Sequence, residues 1–95
     1  MPKLSRGIAA EITKAALVRY TKAAPKAIVE ESPIEHFKLS EIAKRAVHVD
    51  IVRAVERAGF STVFSFQDFL DAEAVRDVID SVIKGTESSG PRSRQ

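Results

Sequence analysis

Apolar residues recur at helical spacing through most of the chain, and Gly and Pro interrupt the pattern at only a few places. Ile8, Ile12, Ala15, Ala16 and Tyr20 fall on one helical face. Ser5 can cap a helix ahead of them. Pro25 ends or bends that helix, because proline lacks an N–H and disfavours a helical residue before it. A first helix is therefore predicted over about residues 6–24, with residues 26–31 available for one further turn.

Ser32, Pro33, Ile34 and Glu35 carry a strong local start signal. Ser can cap, Pro suits the first helical position, and Glu at the third completes a capping box. No Gly or Pro follows until Gly59, whose identity suits a C-terminal stop. The pattern thus predicts a helix over 33–58, about 26 residues or roughly 39 Å long. Its apolar residues include Ile34, Phe37, Leu39, Ile42, Val47, Val49, Ile51, Val52 and Val55, with Ala at 43, 46, 54 and 58. They cover too much of the circumference for a surface helix. Either this helix is buried from several sides, a partner chain being one cover, or it is two helices with a turn near 46–49.

Beyond Gly59, Phe60, Thr62, Phe64 and Phe66 alternate with Ser61, Val63 and Ser65. That pattern suits a short strand or an extended loop over about 60–65. Ser65 and Asp68 form a second cap signal and start a last helix over about 66–84, with Gly85 as its stop. Val75, Val78, Ile79, Val82 and Ile83 make its apolar stripe, while Glu73, Asp77 and Asp80 are expected in solvent. Residues 86–95 are rich in Ser, Gly, Pro and Arg and read as a disordered tail. The expected fold is all-α: three main helices and a short extended segment, forming one domain over 1–85.

Composition narrows the function classes. A chain of 95 residues suits one domain with a modest core and little room for a deep pocket. Dimerisation would enlarge that core, so a homodimer is expected. Without cysteine there is neither a disulfide framework nor a thiolate metal site. No apolar run approaches the roughly 20 residues that span a bilayer, and residues 1–4 lead into no signal-peptide stretch. The expectation is an intracellular protein, cytoplasmic or nucleoid-associated, with no membrane partner.

The net charge of +2 is unevenly spread. Residues 1–28 carry +5, 29–37 carry −3, 38–59 carry +2 and 60–85 carry −3. The basic first half points to an anionic partner, or to attraction between basic and acidic helices inside the fold. His36 and His48 would lie about 18 Å apart on a continuous helix, so they cannot share a metal. No Gly-rich phosphate loop, nucleophile with an oriented base, or oxyanion donor set can be assembled. No enzyme, metal or cofactor is expected.

Residues 39–60 resemble the helix-turn-helix of transcription regulators, through Leu39, Ile42, Ala43, Ala46, Val47, Val52 and Val55 with Ala58, Gly59 and Phe60 closing the second helix. The resemblance implies a recognition helix from about His48, with His48, Asp50 and Arg53 toward bases and Lys44, Arg45 and Arg57 toward phosphates. A long central helix followed by Ala58, Gly59, Thr62 and Val63 is similar to the second half of a histone fold, which implies DNA contact through the Thr-Val loop. Residues 50–59, followed by 68–75, look like the last helices of carrier proteins that hold a phosphopantetheine arm. That family needs a serine at the start of the helix before Gly59. The matching position is Arg45, and Ser40 serves only if the helix is extended; the missing attachment serine and the basic pI both argue against a working carrier.

Two function classes follow. In the first, the protein binds duplex DNA in a transcription-regulatory or chromatin role, using Lys14, Arg19, Lys22, Lys26, Lys44, Arg45, His48, Arg53 and Arg57. In the second, it is a helical protein-interaction or assembly module with no nucleic-acid role. Its interface would then be Val47, Ile51, Phe60, Phe64 and Phe66. The phenylalanines have no interleaved Lys or Arg, so they suit a core or a hydrophobic seam better than base stacking.

Overall fold

A computed structural model describes residues 4–88 and shows an all-α fold. Four helices follow in order: α1 (Arg6–Tyr20), α2 (Glu41–Arg57), α3 (Phe66–Asp71) and α4 (Val75–Ser88). Two 3-10 turns, Pro25–Ala27 and Ile34–Phe37, punctuate the link between α1 and α2. Helix α1 packs on α2 and α4, and α3 bridges α2 and α4. Residues 60–65 are non-helical and form no strand; Pro33 and Ala74 make an isolated antiparallel bridge elsewhere.

Each helix is set by local chemistry. Ser5 caps α1, its Oγ accepting the Ile8 N–H. The helix stops at Tyr20, four residues short of the expected end, because Thr21 is extended and its hydroxyl takes the Ala23 N–H. The expected helix over 33–58 is broken at a different place from the turn considered near 46–49. The chain makes only the one 3-10 turn after Pro33, and Lys38 then adopts a left-handed conformation (φ 50°). Ser32 forms no capping box there; its Oγ accepts the Val29 N–H instead. Ser40 restarts the chain as α2, accepting the Ala43 N–H, and Glu41 suits the positive end of the helix dipole.

Gly59 ends α2, as expected. At φ +97° it occupies the left-handed position that glycine adopts without steric cost. The Gly59 N–H bonds the Glu56 carbonyl and the Phe60 N–H bonds the Val55 carbonyl, the paired closure of a Schellman motif. Ser65 and Asp68 form the expected capping box at α3 with both halves in place. The expected 66–84 helix nevertheless divides at residues 72–74. Asp77, read as solvated, folds back to accept the Glu73 and Ala74 N–H groups. The next two donors of α4 are taken by the distant link: Val75 N–H bonds the Ser32 carbonyl and Arg76 N–H the Glu30 carbonyl, at 2.9 and 2.8 Å.

Gly85 was read as a stop, yet α4 continues to Ser88, which also takes 86–88 out of the expected tail. Gly85 allows a close approach instead. A Cβ there would stand 2.8 Å from Thr62 Oγ1 and 2.9 Å from the Phe64 nitrogen. Residues 89–95 of that tail lie outside the described residues.

The core is one cluster built on Leu17, Ile28, Val47, Ile51, Val55, Phe69 and the stripe Val75, Val78, Ile79 and Val82. Thr13 is the buried polar residue among them, and its hydroxyl finds no hydrogen-bond partner among the described residues. Arg6 ties the outside together by pairing with Glu30 and Asp80. Its hydrogen bond to Glu30, and then that to Asp80, raise the guanidinium above its already high ordinary value. Among the described residues no helix is long and apolar enough to cross a membrane.

Candidate interaction surface on the central helix

Helix α2 has two sharply different sides. Successive residues turn by about 100°, so Val47, Ile51 and Val55 share one side, and all three are completely buried. On the opposite side stand Ile42, Arg45, Val49, Arg53 and Glu56. Ile42 is 82% exposed and Val49 42% exposed. The two lie seven residues apart, about 10 Å along the axis, with Arg45 between them and Arg53 beyond. This outward row was absent from the expected interface. The signal lay in the order Ile42, Arg45, Val49, Arg53, but a helix assumed to start at 33 and to be apolar all round concealed it.

Most of the expected interface serves the core instead. Val47 and Ile51 face inward and Phe64 is 4% exposed, so none of the three is available to a partner. Phe60 and Phe66 are half-buried and pack against the same cluster. The apolar circumference that suggested a homodimer is therefore largely covered within one chain, by α1, α3 and the links.

The expected basic set is dispersed. Lys14 and Arg19 lie about 140° apart around α1, while Lys22 and Lys26 sit beyond its end. Arg19 donates to Asp50 on α2 at 3.0 Å, so Asp50, expected to face bases, is half-buried in an ion pair. His48 turns inward. Its Nε2 lies 2.9 Å from the Phe64 carbonyl, and its ring stacks at a tilt on Phe64 and edge-on to Phe66. The Arg45 guanidinium lies 4.5 Å above the Phe66 ring and within 3.7 Å of Glu41. That contact orders a side chain that would otherwise sweep freely. Arg53 and Arg57 are exposed with no carboxylate partner among the described residues.

The turn needed for a helix-turn-helix is not made, since Ala46, Val47, His48 and Val49 all lie within α2. The long central helix of the histone-like alternative is 17 residues here. The carrier resemblance meets a different finding. The helix before Gly59 begins at Glu41, not at Arg45, and Ser40 is exposed as its N-cap.

A concavity of about 740 Å³ lies between the Ile34–Phe37 turn, the start of α2 and α3. Ile34, Leu39 and Phe69 line it together with Lys38, Lys44 and Glu73, so both charge signs face the same space. Lys44 thus points away from the row of Arg45 and Arg53. Among the described residues no cluster of three His, Asp or Glu side chains could hold a metal. Comparison of the chain with family models, curated proteins and solved structures gives no match.

Proposed function

We propose that this chain is a small helical interaction module whose working surface is the outward side of α2. The observation that carries the reading is Ile42. A large aliphatic side chain stands four-fifths in water on the first turn of a well-capped helix, in line with Val49. Burying such a side chain against a partner is worth about 2 kcal/mol. Arg45, held over Phe66, supplies an ordered cation beside it.

The test is a photo-crosslinking side chain placed at position 49, compared with one at position 80 on α4, in extract of the host cell. The expected result is a discrete adduct from position 49 that disappears with Ile42→Asp, and none from position 80. Absence of adducts from position 49 removes the reading. Duplex DNA is the rival partner for the same side, through Arg53 and Arg57. Binding of a random duplex at about 50 mM salt that collapses at about 200 mM would favour it.

A second reading is favoured by Ser40. The carrier resemblance asks for a serine at the start of this helix, and Ser40 is exposed there with its Oγ accepting the Ala43 N–H. An accepting hydroxyl keeps its own proton and lone pair available for phosphoryl transfer. Incubation with coenzyme A and a phosphopantetheinyl transferase should then form a phosphoester at Ser40 Oγ, with the pyrophosphate bond of coenzyme A broken, adenosine 3′,5′-bisphosphate released and the hydroxyl proton lost to solvent. The intact mass should rise by one arm, and Ser40→Ala should abolish the rise. An unchanged mass eliminates this reading and leaves the docking surface intact.

A further inference from the structure

We infer that the partner segment received by α2 is an acidic amphipathic helix, with its apolar side chains on Ile42 and Val49 and its carboxylates on Arg45, Arg53 and Arg57. The inference rests on the docking reading above and names the chemistry of the occupant. Three observations carry it. The first is spacing: Ile42 and Val49 are separated by seven residues, the interval at which one helix presents successive apolar side chains to another. The second is charge. The row sets Arg45, Arg53 and Arg57 against Glu41 and Glu56; Arg53 and Arg57 are in no ion pair among the described residues, and Arg45 has only the long contact to Glu41. An arriving carboxylate would therefore gain partners without displacing strong ones, and the arginine fork favours carboxylate geometry.

The third observation bears on a second copy of this chain as occupant. The acidic helix available in a second copy is α4, where Asp77 and Asp80 are already committed and Glu87 alone is left without a partner among the described residues. Asp80 pairs with Arg6, and Asp77 caps its own helix. Its apolar stripe is inside the core. Helix α3 has an exposed Leu70, but Asp68 is used in the capping box and Asp71 accepts from Gln67. Neither helix sets a pair of free carboxylates beside exposed apolar residues, and α2 of a second copy, with Glu41 and Glu56 against Arg45, Arg53 and Arg57, would bring a net positive row against a net positive row. Nucleic acid meets the charge but has no apolar counterpart for Ile42 and Val49 along its phosphate backbone.

The experiment uses the full chain and two labelled synthetic helical peptides. Both carry leucines at heptad spacing; one has glutamates at the flanking positions and the other lysines. Fluorescence anisotropy should show the acidic peptide binding at least about tenfold more tightly than the basic one, because like charges facing each other oppose association. Arg53→Glu with Arg57→Glu should reverse the preference, and Ile42→Asp should abolish binding of both peptides with helicity unchanged by circular dichroism. Equal affinity for the two peptides, or binding that survives Ile42→Asp, overturns the inference. Displacement of the acidic peptide by random duplex overturns it in favour of phosphate recognition. Crosslinks from position 49 alongside failed peptide binding would reject the acidic helix while sparing the docking surface; loss of both would reject both.

Discussion

On one side of α2, Val47, Ile51 and Val55 have no contact with water; on the other, Ile42 and Val49 stand in it. The five residues are the same chemical kind, on the same helix, within fourteen positions of one another. What separates them is the angle at which α2 meets its neighbours. The inward three fill the space against α1 and the rest of the core, where close packing makes each methylene count. The outward two are left over, and with Arg45 and Arg53 they form a surface whose apolar part has no use inside the chain. Apolar character therefore has two meanings here, and only the packing partner tells them apart.

The sharpest way to break that contrast is from the inside. Ile51→Ala should cost about 2–5 kcal/mol through lost burial and a residual cavity, read as a lower midpoint in urea denaturation. A cost near zero would mean that the inward side is not the core. Gly85→Ala should destabilise by about 1–3 kcal/mol, because the new methyl group meets a backbone nitrogen that cannot step aside. The same denaturation series would measure it. Thr13 is the inward exception, a buried hydroxyl without a partner among the described residues. Thr13→Val keeps the shape and removes the unsatisfied group, and should raise stability by about 1 kcal/mol. The smallest effect belongs to the outward side: Ile42→Ser and Val49→Ser should each change stability by no more than about 0.5 kcal/mol. A substantial loss in either would show that these residues hold the fold together rather than wait for a partner.

The contrast also explains what could be read in advance. The all-α class, the Ser65–Asp68 cap and the closure of α2 at Gly59 follow from local signals, and the structure forms each of them. The break at residues 38–40 does not. Lys38 adopts the left-handed conformation with no glycine or asparagine to announce it, and Ser40 then caps α2 in a stretch that the apolar pattern runs straight through. Once that break is missed, the helical angles over 33–58 describe a helix that is not there, and Val47 and Ile51 look available to a partner. The division between α3 and α4 was hidden for another reason. It depends on Asp77 folding back and on carbonyls more than forty residues away, which no window of neighbouring positions contains. The basic positions were legible as charges but not as a set, since Arg19 is committed to Asp50 and His48 to the Phe64 carbonyl.

The crossing of the 29–34 link beside the start of α4 has a consequence for how the molecule opens. Amide hydrogens in the first turn of a helix ordinarily exchange quickly, because they have no partner within the helix. Those of Val75 and Arg76 are held by Ser32 and Glu30. Neither can be released by fraying of α4 alone, because the link must also move. Their exchange should therefore follow the opening of the whole domain rather than of one helix end. Two protons at a helix terminus become reporters of whether the first and second halves of the chain are still joined.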